Sequence, residues 1–134
     1  MRNNSMSKDM MSVNKINKRK EGGIWEKYAG SRIKESGMKI ICYNFQCRLG
    51  EIDIVARDGD CLVFVEVKCR KTTNTGNPLE AVTPYKQKTI RKVAEYYMLR
   101  YGMGSDTYCR FDVFGIEVRG KGDDIREYWV KNAF

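Results

Sequence analysis

Apolar and polar residues repeat with two different periods along the chain, and these periods predict its elements in order. Over positions 23–36 apolar residues recur at helical spacing between Trp25 and Ile33, and Gly37 stands where such a helix would end. Residues 1–21 show no period and are rich in Met, Asn, Ser and Lys, so we expect a disordered basic tail there. The folded domain is then expected to cover 22–134.

Alternating segments after the first helix predict strands. "MKIICYNFQCR" is a first strand that ends before Gly50, and residues 51–56 and 61–69 flank Asp58-Gly59, a dipeptide favoured in hairpin turns. Further on, "YCRFDVFGIEV" alternates as another strand, and "IREYWVKNAF" predicts a short last one. The chain therefore holds three strands in succession and one or two more near its end.

A second helix separates the two groups of strands. Segment 71–84 has the Thr, Asn, Gly and Pro of a loop, and Pro84 falls in the first turn of the helix that follows. The order of elements predicts an α/β domain, in which helices pack on a small mixed sheet with a central hairpin. The apolar stripe expected to face that sheet comprises Ile90, Val93, Ala94, Tyr97, Met98 and Tyr101.

Composition narrows the classes of protein to consider. The 134 residues are 42% hydrophobic and 31% charged, without the ~18 consecutive apolar residues of a membrane helix. No apolar segment follows the N-terminal cations, so we expect a cytoplasmic protein without a secretory signal. Five cysteines without a CxxC pair are expected as free thiols in the core. The absence of histidine excludes Ser/His and Cys/His nucleophilic mechanisms, histidine-bound zinc and histidine acid–base catalysis.

The net charge of +8 is unevenly distributed. Residues 1–21 carry six cations and two anions, and residues 68–100 carry eight cations and two anions. Such a concentration in one folded segment indicates an anionic partner, with nucleic acid first and anionic lipid second, although cations that serve only solubility would give the same count. The cations off the apolar stripe of the second helix are Lys86, Lys88, Arg91 and Lys92.

The strand "LVFVEVKCRK" raises a question, because Glu66 and Lys68 place two charges on one face of an apolar run. If the Asp58-Gly59 loop has an even number of residues, paired positions across the hairpin sum to 117 or 119. Asp53 then lies diagonal to Glu66 or directly opposite it. Either register places Glu51, Asp53, Glu66 and Lys68 on one face, opposite a face with Ile52, Ile54, Val63, Val65 and Val67.

A divalent cation gives a physical reason for this crowding of carboxylates. Mg²⁺ or Mn²⁺ would neutralise Asp53 and Glu66, and Mg²⁺ keeps coordination positions for water and phosphate oxygens. Lys68 would then orient or deprotonate an attacking water and offset charge on the phosphate. The alternative is a solvated sheet face on which Glu66 and Lys68 pair with each other.

The segment "NFQCRLGEIDIVARDGDCLVFVEVKCR", with "GGIWEKYA" before it and "RFDV" after, resembles the bacterial uncharacterised UPF0102 (YraN-like) family. This family is related to the Holliday junction resolvases of the PD-(D/E)XK nuclease superfamily, and the resemblance spans roughly residues 22–118. It implies a restriction-endonuclease-like mixed sheet, flanked by helices, whose central hairpin carries the site. Ile52 departs from the superfamily pattern, which has proline before the first acid.

The resemblance implies roles residue by residue. Asp53 matches the first metal-binding acid, Glu66 the second and Lys68 the active-site lysine, while Glu26 matches an acid that relatives often add. Glu51 belongs to the GEID motif as an additional acid, and Arg110 and Asp112 fall in the closing strand. The expected nucleic-acid-binding residues are Arg70, Lys71, Lys86, Lys88, Arg91 and Lys92, of which Lys86 matches a family lysine; for Arg70 and Lys71 surface solubility is nearly as good an explanation.

These observations predict a Mg²⁺-dependent (or Mn²⁺-dependent) endonuclease that hydrolyses DNA phosphodiester bonds at branched or damaged DNA. One alternative is a nucleic-acid-binding protein that keeps the nuclease fold with little turnover, and another is an interaction module whose acidic patch binds a protein. No membrane partner is expected, and a homodimer is expected from the resemblance alone.

Overall fold

A computed structural model describes residues 23–71, 82–121 and 124–134 of the chain. The tail predicted over 1–21 and most of the loop predicted over 71–84 lie outside the described residues, so those two predictions stay open. Within the described ranges no helix is long and apolar enough to cross a membrane.

The predicted order of elements is confirmed. Helix α1 covers residues 23–35 and is followed by the strands β1 to β3, helix α2 and the strands β4 and β5. Their bounds are β1 Lys39–Cys47, β2 Gly50–Asp58, β3 Cys61–Lys71, α2 Pro84–Arg100, β4 Cys109–Arg119 and β5 Asp124–Val130.

The five strands form one mixed sheet in the order β1-β2-β3-β4-β5, so the predicted hairpin does lie near its centre. Strands β3 and β4 are parallel, and the other neighbouring pairs are antiparallel. A parallel neighbour requires a crossover, which α2 supplies between β3 and β4. The result is a restriction-endonuclease-like α/β fold, as expected.

Each face of the sheet is covered by one helix. Thr83 caps the N-terminus of helix α2, because its Oγ1 accepts a hydrogen bond of 3.1 Å from the backbone N–H of Lys86. Helix α2 also has Pro84 in its first turn. Its core includes Ile52, Leu62, Phe64, Ile90, Val93, Ala94, Tyr97 and Val113, whereas the core beneath α1 includes Ala29, Ile33, Ile54, Val63, Val65, Phe114 and Ile116.

Two details of the predicted core were wrong. Tyr101 is the C-cap of α2 rather than part of its stripe, so its side chain turns outward and is 54% exposed. The five cysteines are free, as predicted, but none is fully buried and Cys69 is exposed. The other four lie at the sheet margin, because Cys42 and Cys47 are on edge strand β1, and Cys61 and Cys109 begin β3 and β4.

The sheet forks in the middle of the central hairpin. Pairing of β2 with β3 runs from Asp58 and Cys61 to Ile54 and Val65 and stops there. Beyond that point β2 stays paired with β1 as far as Gly50, while β3 stays paired with β4 as far as Lys71. Asp53 is thus the first residue of β2 past the last paired position.

The side-chain alternation of β1 and β2 also reverses at the fork. Tyr43 and Ile54 pack on the α1 side, but Phe45 and Ile52 pack on the α2 side. The prediction that Ile52 shares a face with Ile54 was therefore wrong. A regular strand keeps residues i and i+2 on one face, so the backbone must twist between these pairs.

Candidate functional site

Asp53 lies in the opening between the two branches of the sheet. The hairpin has the tighter of the two predicted registers, with Asp58 opposite Cys61 and position sums of 119, so Asp53 falls opposite Glu66. Its Oδ2 accepts a hydrogen bond of 2.7 Å from the backbone N–H of Val67. In an uninterrupted ladder that N–H would go to a main-chain carbonyl of β2, and the carboxylate takes that place.

Burial and the nearby Glu66 carboxylate raise the pKa of Asp53 to about 8, and Glu26 adds to the shift. The Val67 N–H acts in the opposite direction but does not outweigh them. Two or three carboxylates that share one desolvated position cannot all ionise unless positive charge is supplied. The carboxylates at the fork can therefore all ionise only if a cation binds there; otherwise at least one of them keeps its proton.

Glu66 is paired with the positive charge that the site contains, which Lys68 and Lys86 supply. Its side chain is only 7% exposed, and its Oε2 lies 3.5 Å from Nζ of Lys68 and 3.3 Å from Nζ of Lys86. Lys68 follows on the same strand, whereas Lys86 reaches in from the first turn of α2. The Thr83 cap fixes where that turn begins, so it also fixes where Lys86 enters the site.

Glu26 enters the fork from α1, on the other side of the sheet. Its Oε1 accepts a 3.0 Å hydrogen bond from Nδ2 of Asn44, and its carboxyl group lies close enough to that of Asp53 for each to shift the pKa of the other. Burial raises the pKa of Glu26, and the charges of Glu51 and Glu66 add to that shift. Glu51 itself is exposed, with Nε2 of Gln46 at 3.4 Å from its Oε1, so it stands at the rim.

The structure thus gathers Asp53, Glu66, Lys68 and Glu26 at one point. Of the four residues predicted to share one face, Asp53, Glu66 and Lys68 lie together and Glu51 stands at the rim, while Glu26 joins them from the α1 side. No three of the acidic or cysteine side chains in the described ranges approach closely enough to enclose a metal ion on their own. The donor set still suits Mg²⁺ or Mn²⁺, because it consists of carboxylate oxygens short of positive charge and Mg²⁺ retains several waters.

The six predicted nucleic-acid-binding residues do not form one group. Lys86 belongs to the acidic site, and Lys88 and Lys92 are exposed on α2. Arg91 stacks its guanidinium over Phe111 at 5.0 Å and Phe134 at 5.4 Å, which gives it a structural explanation. Arg70 and Lys71 continue β3 beyond Lys68, on the branch that leads away from the fork.

Asp112, noted in the sequence without a role, is a structural residue. It is completely buried on β4 and accepts hydrogen bonds from Arg110, Trp129 and Asn132. Arg110 also bridges to Asp58 at 2.9 Å, and both acids raise the pKa of its guanidinium further above the ordinary value.

Sequence reasoning missed both the Asp112 network and the role of Asn44. For Asn44 a signal was available, because an asparagine inside a predicted strand is a residue type that tolerates left-handed backbone.

Comparisons with known proteins agree with the resemblance. The family described as "Uncharacterised protein family UPF0102" matches residues 25–116. A "UPF0102 protein" of Caldicellulosiruptor saccharolyticus is 40% identical over 119 residues, covering 89% of this chain and all of that protein. Another, from Lachnoclostridium phytofermentans, is 45% identical over 119 residues, covering 89% of this chain and 96% of that protein.

A third relative, from Legionella pneumophila, is 40% identical over 114 residues and covers 85% of this chain and 93% of its own length. The matched region contains both branches of the fork, with Glu26, Asp53, Glu66, Lys68 and Lys86. The chain therefore belongs to the UPF0102 family.

Proposed function

We propose that this protein is a metal-dependent endonuclease that hydrolyses DNA phosphodiester bonds, at branched or damaged DNA. The observation that carries the proposal is the fork at Asp53, where a partly buried carboxylate faces Glu66, which is paired with two lysines. The family, uncharacterised by its description, supplies no activity. The proposal therefore rests on the chemistry of the site.

Asp53 and Glu66 would hold Mg²⁺ or Mn²⁺, with Glu26 as a third ligand. When bound, the ion supplies positive charge to the scissile phosphate and makes a coordinated water more acidic. Val67 N–H fixes one oxygen of Asp53, and Asn44 fixes one oxygen of Glu26, so the acids are held before any ligand arrives. Such preorganisation matters because charge on the phosphate must be met without rearrangement.

The two lysines divide the remaining work. Lys68, on the same strand as Glu66, would orient the attacking water and offset negative charge on the phosphate. The oxygen of the water bonds to phosphorus and its proton passes to solvent, while the bond from phosphorus to the leaving oxygen breaks and that oxygen takes a proton from solvent. Lys86 approaches the same Glu66 oxygen from α2. Once a cation neutralises Glu66, the ammonium of Lys86 is available to a phosphate oxygen of the DNA.

The exposed cations of α2 would bind the DNA phosphates on either side of the cleaved bond. Lys88 and Lys92 lie on the helix that carries Lys86, so phosphates on either side of the cut can reach them. Contacts of this kind carry no base code and weaken steeply with salt. We expect recognition of DNA by shape rather than sequence.

A second candidate is a nucleic-acid-binding protein that keeps the nuclease fold with little or no turnover. Two observations favour it: the lysine pairs already satisfy Glu66, and no three acids of the described chain enclose an ion unaided. This candidate shares the DNA-binding surface of the first one. The two differ in whether the fork takes up a cation.

The test is cleavage of labelled duplex, single-stranded, flap and four-way-junction DNAs with Mg²⁺ or Mn²⁺. Asp53→Ala should abolish cutting and Lys68→Ala should slow it by about 10²–10³-fold, while two matched controls should cut normally. Asp60→Ala removes an exposed aspartate from the turn of the same hairpin, and Lys34→Ala removes an exposed lysine from α1. Binding of junctions without cutting by the wild type would instead support the second candidate.

A further inference from the structure

We propose that Asn44 is a positioning residue that holds Glu26 in the fork as a ligand for the divalent cation. The proposal deepens the proposed function and rests on it. Two independent features of Asn44 carry it, one in its backbone and one in its side chain.

The backbone of Asn44 makes the fork possible in β1. Positions 43 and 45 pair with 54 and 52, so Asn44 lies directly across from Asp53. Its φ of 54° is in the left-handed region, in the middle of a strand, and the side-chain alternation of β1 reverses at this residue. Glycine and asparagine adopt such a φ readily, whereas most side chains are strained there.

The side chain of Asn44 then ties β1 to α1. Nδ2 donates to Oε1 of Glu26 at 3.0 Å, which engages one oxygen of Glu26 beside Asp53. Glu26 faces the charges of Glu66 and Glu51, so repulsion would drive it outward in the absence of the amide. A neutral donor holds it there without the positive charge that would compete with a cation.

Few residue types meet both requirements. Glycine would accept the left-handed φ but has no amide, and glutamine has the amide but not the tolerance of that backbone. Aspartate would tolerate the φ and add a further negative charge at the fork. Asparagine therefore suits both requirements at this position, the left-handed φ and the amide donor to Glu26.

The test is calorimetric titration of Mn²⁺ into the full-length wild type, Asn44→Gly, Glu26→Gln and the double variant. Asn44→Gly keeps the backbone and removes the amide, so Mn²⁺ affinity should fall about tenfold, as is typical when a group that orients a metal ligand is lost. Asn132→Gly is the matched control, because Asn132 has the same φ of 54° and lies beyond β5. Its Mn²⁺ affinity should equal that of the wild type.

The double variant separates positioning from general damage. If Asn44 acts through Glu26, Asn44→Gly should cost almost nothing further once Glu26→Gln is present. Losses that multiply independently, or wild-type affinity in Asn44→Gly, would overturn the proposal and leave the endonuclease proposal standing. A wild type that binds no Mn²⁺ at all would overturn both.

Stability measurements show whether a loss of Mn²⁺ affinity comes from the missing amide or from partial unfolding of the variant. The urea midpoints of Asn44→Gly and Asn132→Gly should fall by similar small amounts, since both add a glycine to the unfolded chain. Asn44→Ala should lose the same Mn²⁺ affinity as Asn44→Gly but also unfold at lower urea, because Ala is strained at this φ. Equal stability of the Ala and Gly variants would remove the backbone half of the proposal.

Discussion

Two aspartates in neighbouring parts of the sheet, Asp112 fully buried and Asp53 partly buried, have opposite surroundings. Asp112 on β4 lies beside Val65 of β3, and it accepts four hydrogen bonds, from Nε and Nη2 of Arg110, Nε1 of Trp129 and the N–H of Asn132. Asp53 on β2 has one main-chain N–H, from Val67, and otherwise faces the carboxyl groups of Glu66 and Glu26. Both carboxyl groups are at least partly withdrawn from solvent, but within the described chain only Asp112 has its negative charge compensated.

The difference separates a structural acid from a chemical one. A buried carboxylate that serves only the fold is paired and fully hydrogen bonded, which is the case at Asp112. A carboxylate whose pKa is raised to about 8 by burial and like charge costs folding free energy, and perturbations of this kind cluster at functional sites. Under the proposed function, the fork is therefore the part of the molecule where function opposes stability.

The largest expected effect is on the structural side. Asp112→Ala would leave the Arg110 guanidinium and the Trp129 indole N–H without their buried acceptor, so the free energy of unfolding should fall by about 3–5 kcal/mol. Urea unfolding in EDTA measures this directly. Asp53→Asn should not destabilise the metal-free protein, and a loss as large as that of Asp112→Ala would erase the distinction between the two acids.

On the chemical side, Lys68→Ala should lower the cleavage rate by about 10²–10³-fold, because it removes a positioned charge from the developing phosphate. Lys86→Ala removes the ammonium group that approaches Glu66 from α2 and is proposed to contact a phosphate oxygen of the DNA, so it should cost less. Single-turnover rates at saturating Mg²⁺ provide the comparison. A larger loss with Lys86→Ala than with Lys68→Ala would reverse the assignment of the two lysines.

The raised pKa of Asp53 predicts how stability depends on pH. Its pKa rises from 3.8 to about 8 on folding, so between these values the folded state binds a proton that the unfolded state has released. Stability from this group is full below about pH 4 and is lost as pH rises through 8. Urea unfolding in EDTA should show this decline in the wild type and a flatter profile in Asp53→Asn.

Magnesium should reverse that trend, because the cation binds the ionised carboxylates and its stabilising effect grows as they lose their protons. The same unfolding series with saturating Mg²⁺ tests this. An identical pH profile with Mg²⁺ and with EDTA would indicate that the carboxylates of the fork bind protons but no Mg²⁺.

The smallest effect is expected at the periphery. Lys88 is exposed on α2, and Lys88→Ala should weaken junction binding only a few-fold and reduce the salt dependence of binding by about one phosphate contact. Fluorescence anisotropy across a salt series measures both quantities. An unchanged slope would place the DNA on another surface than α2.

Much of this architecture could be predicted from local sequence chemistry. The Asp58-Gly59 turn fixes the hairpin parity, and that parity places Asp53 next to Glu66. Thr83 and Pro84 mark the start of α2 in the same way. The turn and the helix start each depend on a few residues adjacent in the chain, so the sequence pattern was enough to predict them.

The fork and the Asp112 network depend on residues far apart in the chain. Asn44 reaches Glu26 eighteen positions away, and Trp129 reaches Asp112 across β4 and β5. Alternation in β2 predicted an unbroken face for Ile52 and Ile54, because periodicity contains no information about where two strands part. Such contacts follow from packing on both faces of the sheet rather than from local preference.

The carboxylates of the fork, of which Asp53 has no cation paired with it among the described residues, are proposed to hold a divalent cation. The most direct measurement is calorimetric titration of Mn²⁺ into the wild type, Asp53→Asn and Asp60→Asn at neutral pH. We predict saturable binding to the wild type and to Asp60→Asn, whose altered residue is exposed in the hairpin turn, and its loss in Asp53→Asn. Undiminished binding to Asp53→Asn, or no binding to the wild type, would contradict the account.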